Sequence, residues 1–361
     1  RYTEGPHPSQ LPKFFLSSRS LAIQRDTSSA GRLGGLVANE REVVFYDQGA
    51  ATQRMLAEVL AGLRRPQKQI APKYFYDEKG SQLFDAITEL SEYYPTRIEM
   101  QLFDQHLPQI RHRFGDQSLC VVEYGSGSSK KIRRVLDTLA PSVYVPVDIS
   151  RQYLLDNTHE LHADFPHIAM YPVCADISRE FELPAEVDSL HKLGFYPGSS
   201  IGNFLPTEAV AFLRRVRRTL GQDAHLLIGV DAKKPAQVLE AAYNDAAGVT
   251  AQFNLNVLQH LNDQLNTDFR LHNFQHEARY NQEQGCIQMF LRSTCDQQVM
   301  IGDDTIAFTK GERIHTEDSY KYSVQEFLQL AEAAGFADAG HWQDDQGWYS
   351  LFLLTGQDAQ K

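Results

Sequence analysis

The chain of 361 residues is 42% hydrophobic and 11% aromatic, which excludes a disordered protein and allows two domains with a large core. With 46 acidic against 35 basic side chains its formal charge is -11, so a nucleic-acid backbone is repelled and no nucleic-acid partner is expected. No apolar stretch approaches the roughly twenty residues of a membrane span, and four cysteines without CxxC spacing, Cys120, Cys174, Cys286 and Cys295, point to a reduced, cytoplasmic protein.

Residues 1–40 read as a poorly ordered arm, because Pro6, Pro8, Pro12, paired serines and the segment from Gly31 to Gly35 interrupt any pattern, and no apolar core of secretory-signal length occurs there. From Glu42 the chain becomes orderly. Helical patterns over Thr52–Leu63 and residues 81–87 flank an aromatic segment, Tyr74-Phe75-Tyr76-Asp77. The most informative stretch follows at residues 120–131: the apolar run Cys120-Val121-Val122 ends in Glu123, then comes Tyr124-Gly125-Ser126-Gly127-Ser128-Ser129-Lys130-Lys131. Ile132, Val135, Leu136 and Leu139 continue at spacings of three and four, so the order is strand, glycine turn, helix. Glycine lets a backbone turn tightly beside a ligand, and the helix N-terminus offers unpaired N–H groups.

Such a turn could serve a dinucleotide, a nucleotide phosphate or an adenosyl sulfonium. Two more apolar runs, Val143–Asp148 and residues 170–175, end in Asp148 and Asp176. Asp148 lies about twenty residues on, where a carboxylate accepts both ribose hydroxyls; an acid after the third run suits an adenine amino group. Ser129 stands where a dinucleotide motif wants its third glycine. Glu123, Asp148 and Asp176 form an acidic ring, poor for a phosphate-rich cofactor and good for cationic S-adenosylmethionine, which the pattern favours over NAD.

Further on, Arg214, Arg215, Arg217 and Arg218 read as the solvated face of a helix whose apolar side is Phe212, Leu213, Val216 and Leu220. The segment 226–231 reads as a strand. After Pro235 the pattern changes to helices at 236–247 and 254–266 and strands at 274–280, Cys286–Ser293, 299–301 and 305–308, as in an inserted domain. Ser323-Val324-Gln325-Glu326 is a capping box opening a helix that Gly335 ends, and strands at 336–342 and 348–354 make a hairpin. A helix and an antiparallel pair close a class I methyltransferase sheet. The expected fold is therefore α/β, a Rossmann-like S-adenosylmethionine domain (98–233 with 323–361) beside a smaller α+β substrate domain (41–97 with 234–322).

A rival reading rests on Gly198-Ser199-Ser200-Ile201-Gly202, which matches the G-x-S-x-G elbow of α/β-hydrolases with Ser200 as nucleophile and His341 as base. No HGGG-type segment precedes it, and Asn203-Phe204-Leu205-Pro206 separates it from the next helix. In a methyltransferase the same turn lets backbone carbonyls and Asn203 face the methyl group.

Two long segments then carry a family likeness. Tyr74-Phe75-Tyr76-Asp77-Glu78-Lys79-Gly80-Ser81-Gln82-Leu83-Phe84 and Glu92-Tyr93-Tyr94-Pro95-Thr96-Arg97 resemble the signature of the histidine-specific N-alpha methyltransferases of ergothioneine biosynthesis. The resemblance continues through Glu123 to Gly127, Gly198 to Asn203, Ala241-Ala242-Tyr243-Asn244-Asp245 and His315-Thr316-Glu317-Asp318-Ser319-Tyr320-Lys321.

It implies an enzyme that trimethylates the alpha-amine of L-histidine to hercynine. Tyr93, Asn203 and Tyr243 would bind the carboxylate and position the amine, with carbonyls near Gly198 and Ser199 facing it, so that Asn203, Gly198 and Tyr93 stand nearest the chemistry. Glu317 and Ser319, two apart on an extended segment and so on one face, would hold the imidazole. Tyr76 and Phe84 would wall the pocket. The cofactor would lie on Glu123, Gly125, Ser126, Gly127, Lys130, Asp148 and Asp176. His315 reads as an exposed strand residue, and no metal site is expected.

Gln288 departs from the acid expected of relatives, and its strand neighbours Ile287 and Met289 face the opposite way; Met289 in the imidazole pocket would limit side-chain size. A family member acting on another amino acid, such as the fungal branch that methylates a prenylated tryptophan, stays open, as does a catalytically idle cofactor binder. The expected partner is a small molecule and the expected state a monomer or weak oligomer. A site without a general base selects the neutral amine, so activity is expected to rise across mildly alkaline pH.

Overall fold

The computed structural model describes residues 45–47, 52–127, 129–221 and 223–357. The arm expected over residues 1–40 and the first residues of the orderly region expected from Glu42 lie outside them. In chain order the first part comprises β1 (Tyr46–Asp47), α1 (Thr52–Leu63), β2 (Lys68–Gln69), α2 (Glu78–Thr88) and α3 (Tyr94–Phe114). Alternation follows: β3 (Leu119–Tyr124), α4 (Ser129–Leu139), β4 (Val143–Asp148), α5 (Arg151–Asp164), β5 (Ala169–Met170), β6 (Val173–Cys174), β7 (His191–Tyr196), α6 (Pro206–Leu220) and β8 (His225–Asp231). Helices α7 (Ala236–Tyr243) and α8 (Val249–Leu265) lead into β9 (Phe274–Asn281), β10 (Cys286–Ser293), β11 (Gln297–Ile301), β12 (Asp304–Phe308) and β13 (Arg313–Tyr320). The described chain closes with α9 (Val324–Ala333), β14 (Phe336–Gln343) and β15 (Tyr349–Gly356).

The large sheet runs β1-β6-β4-β3-β7-β8-β15-β14, with β5 paired to β4. It is parallel up to β8 and antiparallel at β15 and β14. Every residue of β3 is buried, as a strand covered on both faces requires. Val122 packs with Phe212 of α6 and Phe327 of α9, and Val121 with Phe103 of α3 and Ile132 of α4. This is the class I methyltransferase arrangement expected from the sequence. From β3 the chain winds first toward β4 and β6, then back to β7 and β8, so the loops after β3 and β7 diverge and open a crevice at the strands' carboxyl ends.

The smaller sheet, β2-β13-β10-β9, has β10 antiparallel to both neighbours, and α8 covers it with Phe253, Val257 and Leu258 packed in one cluster with Ile287, Met289 and Leu291. Among the described residues, strands β11 and β12 pair only with each other. The sheets meet at Gly202, where an added Cβ would lie 2.6 Å from the Tyr320 carbonyl oxygen.

Several expectations need correction. The third apolar run is split at Tyr171 and Pro172 into β5 and β6, because proline cannot donate to the ladder. The first inserted helix stops at Tyr243 and the second begins at Val249, where Asp245 accepts from the Val249 and Thr250 N–H groups at 2.9 and 2.8 Å. The expected boundary between residues 97 and 98 falls inside α3, and Tyr46–Asp47 extend the large sheet. The arginine face of α6 is only partly solvated: Arg214 and Arg217 donate to the carbonyls of Ala333 and Gln357.

Helix α3 carries a fully buried acid, Glu99, which accepts from Gly198 N–H (2.9 Å), Tyr349 Oη (2.8 Å) and Lys131 Nζ (2.7 Å). It fits because β8 has glycine opposite: a Cβ on Gly229 would stand 1.9 Å from Glu99 Oε1 and 2.4 Å from Tyr349 Oη. Gly229→Ala should therefore destabilise the fold by about 1–3 kcal/mol, read as a lower urea midpoint at constant slope. An unchanged midpoint would contradict this packing.

Candidate active site

The crevice end of the large sheet faces the smaller sheet across a cleft lined by side chains from both, the concave setting in which small molecules bind. Its wall brings together Tyr76, Phe84, Tyr93, Gly198, Asn203, Tyr243, Met289, Glu317 and Ser319, every substrate and catalytic candidate from the sequence. Ser199, Ser200, Thr250 and Phe253 also line it.

Local structure explains each position. Asp77 caps α2 by accepting from Gly80 N–H at 2.6 Å and is held by Asn256 at 2.8 Å, which sets Tyr76 just before the helix and Phe84 two turns along it. After β7 the backbone takes left-handed φ values of 77° at Gly198 and 57° at Ser199, and a 3₁₀ turn, Ser200–Asn203, carries Asn203. On β13, Glu317 and Ser319 share a face as alternation requires and are 7% and 3% exposed, with Met289 of β10 in register with Glu317. Gln288 points away and donates to Asp318 at 3.1 Å. His315 is half-buried and bonded to Asp318 at 2.9 Å.

The aromatic side chains form a continuous wall. Centroids lie 5.9 Å apart for Tyr76 and Phe84, 6.2 Å for Phe84 and Tyr93, and 6.4 Å for Tyr93 and Tyr243. Phe253 joins Tyr76 and Phe84 at 5.9 Å each. Phe253 went unassigned because the helix expected at 254–266 started one residue past it, whereas α8 begins at Val249 and carries Phe253 on its buried face.

Where this wall ends at Tyr243 the site turns polar. Burial pushes the Glu317 carboxyl up to about 8, partly offset by Lys321. Tyr243 and Ser319 hydroxyls are 2.8 Å apart, and Lys321 Nζ lies 2.9 Å from each. Lys321 in turn pairs with Asp231 at 2.9 Å, which also holds Lys234 at 2.5 Å and the Tyr94 hydroxyl at 2.6 Å. Sequence reasoning assigned neither Lys321 nor Asp231, although Lys321 closes the quoted segment from His315.

At the glycine turn, Gly125 takes φ 73° and the N–H groups of Gly125 and Ser126 donate to the Val147 carbonyl at 2.9 and 3.0 Å, while Asn157 holds Gly127 O at 3.1 Å. The three acids do end neighbouring strands, but they are not three equal charges. Burial pushes Glu123 up to about 8 despite its hydrogen bond from Tyr144, and pushes Asp148 up to about 7 despite the Ser150 N–H. Asp176 is held low: burial opposes ionisation there, but Ser178 and Lys73 outweigh it, with Lys73 Nζ at 3.0 Å.

Lys130, expected at the cofactor, turns outward to Glu89. Its neighbour Lys131 turns inward to Glu99. Both lysines after the turn thus meet carboxylates.

The hydrolase reading fails on geometry. Ser200 Oγ donates to Pro197 O at 3.0 Å, the left-handed residue is Ser199 instead, and His341 lies on the edge strand β14, bonded to Asp338 at 2.7 Å. Among the described residues no group of acids, histidines or cysteines could hold a metal ion, and no helix is long and apolar enough to cross a membrane.

A family model described as histidine-specific methyltransferase, S-adenosylmethionine-dependent, matches residues 55–356. The histidine N-alpha-methyltransferase of Mycolicibacterium smegmatis is 36% identical over 312 residues, 85% of this chain and 96% of its own. That of Mycobacterium tuberculosis is 36% identical over 305 residues, 82% and 94%. Ergothioneine biosynthesis protein 1 of Neurospora crassa is 32% identical over 301 residues, covering 80% of this chain and 33% of that protein. With the sheet order and the walled cavity, these similarities lead to one conclusion: the chain belongs to the histidine-specific, S-adenosylmethionine-dependent methyltransferases.

Proposed function

We propose that this methyltransferase converts L-histidine to its alpha-trimethylated betaine, hercynine, by successive transfers at one site. The observation that carries the reading is the cavity's polarity: Glu317 and Ser319 at one side, the loop of Gly198 and Asn203 at another, and an aromatic wall between. S-adenosylmethionine supplies an activated methyl group; Gly125, Ser126, Gly127, Asp148 and Asp176 would hold it, with Glu123 bracing the turn from below.

The chain's own work is to orient, exclude water and manage a proton. Tyr93, Asn203 and Tyr243 bind the carboxylate and aim the amine, the carbonyls near Gly198 accept its N–H groups, and Glu317 with Ser319 holds the ring beside Met289. Tyr76, Phe84 and Phe253 keep water out. Aromatic faces also hold the growing cation, at roughly 0.5 to 2 kcal/mol each. A cytoplasmic location belongs to the same reading, supported by four free thiols, as does a small-molecule partner met by a monomer or weak oligomer.

Incubation with labelled cofactor and a panel of amino acids, read by mass spectrometry, tests the whole. Histidine should gain three methyls; transfer to another amino acid moves the substrate within the family, and no transfer at all favours an idle binder.

The pH profile tests Glu317. The amine attacks only when neutral, so kcat/KM climbs as it deprotonates, with a reference near about 8. Glu317, raised to about 8 by burial, is neutral below that pH and anionic above it, so the proton it holds against the ring is lost on the alkaline side. A bell-shaped profile is expected. Glu317→Gln should abolish the descending limb, and a glutamine variant that keeps this limb would exclude Glu317 as its source. Glu317→Ala should cost histidine preference more than cofactor affinity; unchanged discrimination among amino acids would remove Glu317 from the site.

A further inference from the structure

Lys321 has no role in the scheme above, yet its side chain is wholly buried beside the cavity. An ammonium offers three N–H donors and no acceptor. The structure commits all of them: to Asp231 Oδ2 at 2.9 Å, Tyr243 Oη at 2.9 Å and Ser319 Oγ at 2.9 Å. The two hydroxyls, 2.8 Å apart, share a further hydrogen bond. Each hydroxyl has a single hydrogen, and one of the two is used between them. One hydroxyl hydrogen therefore remains for the cavity.

Which hydroxyl keeps it decides what the cavity can recognise. If Ser319 keeps it, Ser319 can only donate to a ligand, since its lone pairs are taken by Lys321 and Tyr243. If Tyr243 keeps it, Tyr243 donates to the ligand, and Ser319 has spent its hydrogen on Tyr243 and offers a lone pair. A carboxylate takes only donors. On the reading proposed above, in which Tyr243 meets the substrate carboxylate, the second arrangement holds. Lys321 Nζ, 2.9 Å from both hydroxyls, takes one lone pair on each, so the Tyr243 oxygen that also accepts from Ser319 has none left and can only donate to the cavity.

We propose that Lys321 is a positioning residue that sets the hydrogen-bond polarity of the site, making Tyr243 a donor and Ser319 an acceptor, so that only rings presenting an N–H to Ser319 are accepted. The proposal rests on the functional reading above. A neutral imidazole completes the match: one nitrogen carries the N–H for Ser319, and the other has a lone pair for the buried Glu317 carboxyl. Rings with a lone pair and no N–H leave Ser319 unanswered.

The test compares kcat/KM for L-histidine and for thiazol-4-ylalanine, which keeps a ring nitrogen lone pair but has no N–H. The wild type should prefer histidine by roughly 10⁴-fold, as sites built around a hydrogen bond do. Lys321→Met frees the Ser319 hydroxyl to turn, and the preference should fall at least about tenfold, through KM more than kcat. Tyr243→Phe removes the acceptor of the Ser319 hydrogen while leaving the Asp231–Lys321 pair in place, and should relax the preference likewise; it decides the matter if Lys321→Met does not fold. Equal losses on both substrates, with the wild-type preference kept in the folded variants, would mean a merely structural lysine and overturn the assignment. A wild type that transfers no methyl to histidine removes the functional reading itself, and this assignment with it.

Discussion

The site depends on a carboxylate that meets no solvent. Asp231 ends β8 at 0% exposure and gathers Lys234, Lys321 and the Tyr94 hydroxyl around it, while its N–H donates to Ser199 Oγ and its carbonyl accepts from Tyr322. One residue thereby fixes the start of α3, the loop after β7 and the end of β13. Burial opposes its charge, but the two lysines outweigh that and hold it ionised. Removing one partner from such a group typically costs about 3–5 kcal/mol, because a naked charge is left inside. Lys234 bears part of the strain: burial lowers it to about 8 even beside Asp231. Lys321, with the same acid and two hydroxyls, is raised instead, against its burial.

What could be read beforehand was whatever is local. The helix Thr52–Leu63, the strands Val143–Asp148 and Cys286–Ser293 and the capping box at Ser323 follow from periodicity and caps. The cavity-lining residues were legible because a long segment likeness named them, not because spacing brought Tyr76 near Glu317. Helix α3 escaped because Glu99 heads its buried stripe of Leu102, Phe103, Leu107 and Ile110 and Pro108 lies inside it, and a charge on an apolar face reads as surface. Lys130 and Lys131 differ by one helical step; only Glu99, far away in sequence, shows which turns inward.

The acidic ring shows the same limit in charge. A sequence counts carboxylates, whereas burial decides how many are carboxylates at neutral pH. Glu123 lies beneath the glycine turn at 2% exposure, bonded through Tyr144 toward Ser126, and braces the loop as a largely neutral acid. Asp176, tied to Lys73 and Ser178, keeps its charge in a prepared setting.

The contact at Gly202 has a consequence for selectivity. With no side chain between the turn and the Tyr320 backbone, the strand carrying Glu317 and Ser319 and the loop carrying Gly198 and Asn203 sit at a fixed span. On the proposed roles, that span is a molecular ruler. It measures the reach from a ring to an alpha-amine, so an amino acid whose side chain is a methylene longer or shorter seats its ring correctly only by pulling its nitrogen off the methyl's line of transfer.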